Sequence, residues 1–279
     1  MSLPPKIFDT ALIARHLARR ADRGGDFVTR LVLDDLEERL ATLIRDFPRA
    51  LIIGPDPTLL PETGRTGKGG FSFERRPAFD PGQGDLPETA LAEYDLIVSI
   101  LHVQAVNDVP GYLAQLRQRL APDGLLLVAA PGGDTLSELR EAFLAADLAI
   151  TGGASARVAP FIQVRDAGAL LQRAGLALPV ADVETHIVRY ATPFALMLDL
   201  KALGASNPLA DRPRRLASPA LLSAAAAAYA ERDSDPDGRV RATLEIIWLS
   251  GWVPHESQQQ PLRPGSAKVS LAEILGKKT

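Results

Sequence analysis

Residues 94–130, "YDLIVSILHVQAVNDVPGYLAQLRQRLAPDGLLLVAA", decide the fold of this chain. They contain two short, unbroken apolar runs, 95–101 and 125–130, separated by a segment with leucines at helical spacing. A run that is apolar throughout is typical of a strand buried on both faces of a parallel sheet. The order strand, helix, "PDG" turn and strand therefore predicts a βαβ unit in a doubly wound α/β sheet, which binds its ligands at the carboxyl ends of the strands.

The pattern continues on both sides of this unit. Residues 26–46 have apolar side chains at near-helical spacing, which predicts an amphipathic helix that ends before Pro48. Thr135 and Glu138 have the S/T-x-x-E spacing of a capping box, which predicts the start of another helix. Further strand-like runs lie at 50–53, 71–74, 183–190 and 241–252.

The chain divides into four predicted parts. These are a helical segment at 1–48, an α/β core at 49–190, a helical insert at 191–240, and the last strand with a tail at 241–279. The insert interrupts the last two strands, so we expect it to cap the carboxyl edge of the sheet. Such a cap would cover four apolar side chains of the insert: Phe194, Leu196, Leu198 and Leu221.

The composition excludes several classes of function. The 279 residues carry a net charge of −3 and include no cysteine, which excludes disulfides, iron–sulfur ligation and thiol nucleophiles. This charge gives no reason to expect a nucleic-acid partner, and the scattered histidines give none to expect a metal site. No apolar stretch reaches the length of a membrane span, and the amino terminus lacks the apolar region of a signal peptide. We therefore expect a cytoplasmic protein, and the arginine- and alanine-rich composition is typical of bacteria.

The turn after the first predicted strand is unusual for a cofactor site. The stretch "ALIIGPDP" (50–57) contains one glycine, Gly54, and prolines at 55 and 57. Cofactor-binding turns at this point of the fold usually carry two or three glycines, which let the backbone approach a nucleotide closely. Proline lacks an amide donor and stiffens the loop. Gly54 is thus either part of a modified cofactor turn or a glycine that ends a strand.

Five stretches carry a resemblance to a known family. The block 94–140 resembles the bacterial and mitochondrial family of complex I (NADH:ubiquinone oxidoreductase) assembly factor 5, which is related to the malonyl-ACP O-methyltransferases. The other four stretches are "IFDTALIARHLARRA" (7–21), "SPAL…AAAAAY" (218–229), "ATLEIIWLSGW" (242–252) and "PHESQQQPLRPGSAKVSL" (254–271). The resemblance implies a Rossmann-like class I methyltransferase fold, a seven-stranded mixed sheet with a helical insert. In that fold the last strand, here 241–252, is antiparallel to the others.

The resemblance also implies S-adenosylmethionine as the cofactor. The residues that it assigns to the cofactor are Gly54, Glu74, Asp85, Ser99, Leu101 and His102. Glu74 would hold the ribose hydroxyls and Asp85 would lie near the adenine. As an alternative, Glu74 is an exposed acid that pairs with Arg75 or Arg76, Asp85 is likewise an exposed acid, and His102 is a packing residue. Because the prolines remove hydrogen bonds worth about 1 kcal/mol each, we expect S-adenosylmethionine to bind weakly or not at all.

A substrate pocket is predicted where two sequence blocks would meet. Gly132, Gly133 and Asp134 follow a central strand, and the block His255–Gln258 follows the last one. If the tail folds back, Asp134, Arg140 and His255 line one polar pocket, with Asp134 and His255 as the catalytic candidates. The predicted substrate-binding residues are Gly132, Gly133, Asp134, Arg140, His255 and Gln258. Asp134 alternatively caps a helix, and Trp248 and Trp252, four apart in a strand, are typical of a core face.

Two functions follow from these observations. The resemblance implies a methyltransferase-like protein that modifies a protein side chain during the assembly of respiratory complex I, with a complex I subunit as its partner. The mitochondrial relatives are linked to hydroxylation of an arginine on such a subunit, so the chemistry need not be methylation. The alternative is a non-catalytic assembly chaperone that keeps the fold without binding the cofactor, which the two prolines favour.

Overall fold

Seven strands form one mixed sheet in the computed structural model of the chain, which describes residues 6–19, 26–78 and 91–259. The strands are β1 (Ala50–Gly54), β2 (Thr63–Arg65), β3 (Gly70–Pro77), β4 (Tyr94–Ile100), β5 (Leu120–Pro131), β6 (Ala177–Tyr190) and β7 (Val240–Trp252). Their order across the sheet is β2-β3-β1-β4-β5-β7-β6. Strands β3, β1, β4 and β5 are parallel, and β7 is antiparallel to β5. The predicted seven-stranded mixed sheet and the antiparallel last strand are confirmed.

Helices cover both faces of this sheet. They are α1 (Thr10–Ala18), α2 (Phe27–Ala41), α3 (Val109–Arg119), α4 (Ser137–Thr151), α5 (Val164–Arg173), α6 (Pro193–Ala202) and α7 (Pro219–Asp233). Helices α3 and α5 pack one apolar layer against one face of the central strands, which includes Ile97 of β4 and Val128 of β5. Helix α2 packs the opposite layer through Val32, Leu36 and Leu40, which are at helical spacing.

Helix α2 ends at Ala41, five residues before the predicted end. The backbone carbonyl groups beyond it are used by a distant segment, since Gly67 donates its N–H to the carbonyl of Leu43 and Thr66 Oγ1 donates to the carbonyl of Arg45. These bonds attach the β2–β3 hairpin to the end of the helix. The sequence of α2 alone carries no signal for them.

The connection from β1 to its parallel neighbour β3 contains no helix. Residues 55–62 form a loop, and β2 and β3 then form a hairpin. Leu60 of this loop is buried beside Gly54, where a Cβ atom would lie 2.8 Å from Leu60 Cδ2 and 3.0 Å from Ile100 Cγ1. A side chain at position 54 would therefore have to displace Leu60 or Ile100. In doubly wound folds a helix follows this strand and its amino terminus faces the cofactor.

The helical insert packs against α4 and the first residues of β7. Leu196 and Tyr229 contact Leu139 and Val240 in a small apolar core. Of the four side chains expected to be covered, Leu196 and Leu221 are buried. Phe194 and Leu198 are not, at 44% and 67% exposed, so that part of the prediction is wrong. They lie four residues apart on the outer face of α6, opposite the face that carries Leu196.

Candidate functional site

A cavity of about 660 Å³ lies at the carboxyl edge of the sheet. Its floor includes Pro55 after β1, Ala78 after β3, Leu101 after β4 and Pro131 at the end of β5. This is the edge at which doubly wound folds bind their ligands. The volume is in the range of ordinary small-molecule sites.

Helices α1, α4 and α6 form the walls of this cavity. Ile13 of α1, Phe143 of α4 and Leu200 of α6 contribute apolar side chains, and residues of the segment 203–217 complete the lining. The insert thus lies over the carboxyl edge of the sheet. The four-part division of the chain stays a prediction.

Two leucines of the cavity have left-handed backbone conformations. Leu101 has φ 51° and Leu136 has φ 56°, a region that bulky side chains rarely adopt. Leu101 N–H donates to the carbonyl of Ala129 at 2.8 Å, and Leu136 N–H donates to the carbonyl of Thr243 at 2.9 Å. Such backbone strain is concentrated at functional sites, where the surrounding structure holds it in place. Sequence patterns do not reveal it.

Arg157 is the best-fixed charged group of the lining. Its Nε and Nη2 each lie 2.7 Å from an oxygen of Asp147, a residue of α4 that is fully buried. The guanidinium also lies over the ring of Phe143, 5.5 Å from its centroid. Arg212 has a similar arrangement at the other wall, where it donates to Asp9 at 3.2 Å. Arg157 and Arg212 are thus held by carboxylates, whereas Arg215, a third arginine of this largely apolar lining, is exposed.

Most other polar groups of the lining are engaged within the protein. Tyr190 donates its hydroxyl to Asp199 at 2.7 Å, and burial together with this carboxylate raises the pKa of Tyr190. Gln104 donates its amide to the carbonyl of Leu101 at 2.6 Å. Its Oε1 atom is buried and has no hydrogen-bond partner among the described residues. A ligand that donates a hydrogen bond to Oε1 would satisfy this acceptor.

The Gly132–Gly133–Asp134 turn binds a neighbouring strand. Gly132 N–H donates to the carbonyl of Glu245 in β7 at 2.8 Å, and the Glu245 carboxylate accepts from the N–H groups of Gly133 and Asp134. A Cβ atom on Gly132 would collide with the carboxylate of Glu245, and one on Gly133 with the amide of Gln163. Asp134 itself is exposed and does not line the cavity. The two glycines are explained by packing.

Burial raises the pKa of Glu245, although the two backbone N–H groups oppose the shift. A raised folded-state pKa gives stability that is present below the unfolded value, about 4.3 for glutamate, and lost as the pH rises through the folded value. We therefore expect the unfolding free energy of the wild type, relative to Glu245→Gln, to increase as the pH falls from 7 to 4. Urea titrations across this range measure it, with Glu37→Gln as an exposed control. A difference that stays constant with pH would contradict the shift.

The predicted capping box is wrong. Helix α4 begins at Ser137 with Leu136 at its N-cap, and no side chain caps it. The Thr135 hydroxyl instead donates to the carbonyl of Glu245 at 3.0 Å, and Glu138 accepts from Thr243 N–H at 3.0 Å. Both side chains bind β7 because the left-handed residue between them directs them away from the helix end. They attach the start of α4 to the sheet.

The tail block lies at the opposite end of the sheet from the glycine turn. Gln258 Nε2 donates to Asp123 Oδ1 at 2.8 Å, and His255 contacts Ser257, which donates to the same carboxylate. Asp123 precedes the paired part of β5 and the glycines follow it, and this paired part, 125–131, is itself about 20 Å long. Burial raises the pKa of Asp123, but the hydrogen bonds from Gln258 and Arg45 outweigh it and lower this pKa.

The predicted pocket of Asp134, Arg140 and His255 is therefore not formed by the described residues. The tail does not fold back as far as residue 259, and Arg140 donates to the carbonyl of Thr135 at 3.2 Å. His255 and Gln258 stabilise the turn at Asp123. Substrate or catalytic roles for Asp134 and His255 stay predictions without support from their positions.

The predicted cofactor residues do not all lie in one place. Leu101 and His102 line the cavity, and His102 is buried with its ring 5.2 Å from that of Tyr112. Ser99 is fully buried under the floor, where its hydroxyl lies 2.7 Å from the Tyr112 hydroxyl. Asp85 lies outside the described residues.

Glu74 lies away from the cavity. It is three residues before the end of β3, where its carboxylate accepts from the Tyr94 hydroxyl at 2.7 Å and from Arg76 Nε at 2.7 Å. This matches the alternative reading of Glu74 as an acid paired with a neighbouring arginine. Its ribose-binding role stays a prediction that this geometry does not favour.

Comparisons with known proteins identify relatives of this chain. A protein-family model described as a methyltransferase domain matches residues 14–179. The chain is 44% identical to the mitochondrial arginine-hydroxylase NDUFAF5 of Homo sapiens and 40% identical to that of Danio rerio, each over 65% of this chain. It is 40% identical, again over 65% of its length, to the malonyl-[acyl-carrier protein] O-methyltransferase of Halorhodospira halophila. The chain spans 52%, 56% and 59% of these three relatives, respectively.

No helix in 6–19, 26–78 or 91–259 is long and apolar enough to cross a bilayer. Within the same ranges, no three histidine or acidic side chains are grouped as a metal site would require.

Proposed function

Because this chain belongs to the methyltransferase domain family, we propose that it is a methyltransferase-like enzyme that modifies a protein side chain during the assembly of respiratory complex I. The observation that carries this proposal is the 660 Å³ cavity at the carboxyl edge of the sheet, covered by the insert. The relatives named as arginine hydroxylases support arginine as the modified side chain. We propose the bacterial cytoplasm as the location.

S-adenosylmethionine is the cofactor that the family supports. The described lining has room for it but does not match its polar groups. Among the described residues of the lining, the one carboxylate is Asp26, which accepts from Thr29 N–H at 3.0 Å as the N-cap of α2. The turn after β1 presents Pro55 to the cavity and leads to a hairpin. Among the described residues, the ribose hydroxyls and the amino-acid end of the cofactor thus find few partners.

Gln104 is the residue that we place against the substrate. Its unpartnered Oε1 is an acceptor at the floor of the cavity, and a guanidinium is a set of donors that would satisfy it. The fixed positive charges of Arg157 and Arg212 lie at the walls. A substrate guanidinium is therefore expected at the floor rather than against the walls.

The test replaces Gln104 by leucine in a bacterial strain without its own copy of the gene. Gln104→Leu removes the acceptor and an amide donor at similar volume, so the unfolding free energy should change by no more than about 1 kcal/mol. Complex I activity of the membranes should fall at least about fivefold. Mass spectrometry of complex I subunits should show loss of the modification and would identify it as methyl or hydroxyl. Unmodified subunits in the wild-type strain would overturn the proposal.

A further inference from the structure

A groove runs along the α2 face of the sheet, between α2 and the edge strand β6. We call it the α2–β6 groove. It consists of two adjoining hollows of about 150 and 460 Å³, and both contain Asp35 and Glu38. Its floor is formed by side chains of β7, namely Ile246, Trp248 and Trp252.

The groove leads towards the cavity. The first turn of α2 lines the cavity, its middle lines the smaller hollow and its last turns line the larger one. On β6 the same progression runs from Val188 in the cavity through Glu184 to Val180 in the larger hollow. These even-numbered residues share one face of the strand. At about 3.3 Å per residue, the stretch from Val180 to Val188 measures about 26 Å, the length of an extended peptide of eight residues.

The groove is strongly acidic. Its lining includes five carboxylates and one arginine, Arg39. The five carboxylates are Asp34, Asp35, Glu38, Asp182 and Glu184. The whole chain, by comparison, has 34 acidic and 31 basic residues, so this local excess is specific to the groove. A surface of one charge attracts a ligand of the other.

Arg39 shows how a guanidinium fits in this groove. Its Nη1 lies 2.8 Å from Asp182 Oδ2 and its Nε lies 3.1 Å from Asp35 Oδ1, so it links α2 to β6. Its Cζ lies 4.7 Å from the centre of the Trp248 ring. Two carboxylates and an aromatic face form a good environment for arginine.

Trp248 is an independent sign of a ligand. Its side chain is at the floor of the groove and only 2% of it is exposed. Its Nε1–H has no hydrogen-bond partner among the described residues. A buried donor without a partner is unfavourable, and a backbone carbonyl of a docked peptide would satisfy it once Arg39, which lies over the Trp248 ring, moves aside.

We propose that the α2–β6 groove docks an extended arginine- and lysine-rich segment of a protein partner, aligned so that one end enters the cavity. The docking stands on the groove alone, and only the identification of this partner as the modified subunit rests on the proposed function. The segment would pair with Asp34, Glu38 and Glu184, since Arg39 binds the other two carboxylates of the groove. The groove thus selects a basic sequence around the modified residue.

The test uses the fluorescence of the full chain. The protein has two tryptophans, and both line the groove, so their emission reports on it without a label. An eight-residue peptide rich in arginine and lysine should change the emission saturably, and an acidic peptide of equal length should not. The Asp34→Asn/Glu38→Gln double variant should weaken binding about three- to tenfold. Glu37→Gln, an exposed residue of α2 outside the lining, should leave it within twofold.

Several outcomes would overturn the docking proposal. These are no emission change with the basic peptide, equal binding by the double variant, or equal binding of the acidic peptide. A change in emission with protein concentration alone, together with a dimer in sedimentation, would assign the groove to a second copy of the chain. The fluorescence assay needs neither cofactor nor turnover. If the basic peptide binds but the complex I subunits of the wild-type strain are unmodified, only the proposed function is rejected.

Discussion

Replacement of Asp147 by alanine is expected to lower the free energy of unfolding by about 3–5 kcal/mol. Asp147 is fully buried in α4, and both of its oxygens lie 2.7 Å from the guanidinium of Arg157. The side chain of Arg157 is only 15% exposed. The variant therefore leaves a largely buried charge without its partner, which costs far more than the loss of a surface ion pair. Urea unfolding followed by circular dichroism measures the change.

Two further variants separate this effect from a general sensitivity of α4. Glu141→Ala removes an exposed carboxylate of the same helix that pairs with Arg232, and should change stability by no more than about 1 kcal/mol. The double variant Asp147→Leu/Arg157→Met removes both charges and should recover most of the loss. A loss below 1 kcal/mol for Asp147→Ala would show that the pair does not hold the cavity wall.

The central strands are the part of the fold that the sequence pattern predicts well. The apolar runs at 95–101 and 125–130 correspond to β4 and the paired part of β5, because a strand covered on both faces has no polar positions to interrupt it. The direction of β7 has no such signal in its own residues. It followed from the resemblance to a family with that topology.

The ends of the helices were harder to predict because they depend on distant residues. Beyond the end of helix α2, the carbonyl groups of Leu43 and Arg45 accept hydrogen bonds from Gly67 and Thr66, which lie more than twenty residues later in the chain. Helix α4 begins after a left-handed leucine, so the side chains of Thr135 and Glu138 reach β7 instead of capping the helix. A local capping pattern cannot distinguish these two uses of the same residues.

Ligand binding was predicted at the carboxyl edge of the sheet, where the cavity lies, but several predicted residues have other contacts. The glycines at 132 and 133 were expected to admit a substrate, whereas the carboxylate of Glu245 and the amide of Gln163 occupy the space beside them. Neither partner is close in sequence. The Asp147–Arg157 pair was missed for a related reason, since it depends on a loop that returns the chain to α4.

The cavity geometry predicts weak binding of S-adenosylmethionine by the purified protein. Loss of a ribose-binding carboxylate and of amide donors at the β1 turn removes about 2–3 kcal/mol, or about 30- to 150-fold in affinity. Enzymes commonly bind their substrates with constants of a few micromolar or more. A loss of this size therefore leads us to expect a Kd for S-adenosylmethionine near or above about 100 μM. Isothermal titration calorimetry at high protein concentration measures it, and a sub-micromolar Kd would show that the prolines are no obstacle.

Two variants then show which carboxylate contributes to the remaining affinity for S-adenosylmethionine. Ligand-observed NMR measures their Kd values if these approach the millimolar range. Glu74→Gln should leave the Kd within about twofold, because Tyr94 and Arg76 hold its carboxylate away from the cavity. Asp85→Asn should weaken binding at least about tenfold, since the resemblance places this carboxylate near the adenine and a hydrogen bond to a charged group contributes about 1.5–3 kcal/mol. If Glu74→Gln weakened binding more than Asp85→Asn did, the cofactor would contact β3 at a position outside the described cavity.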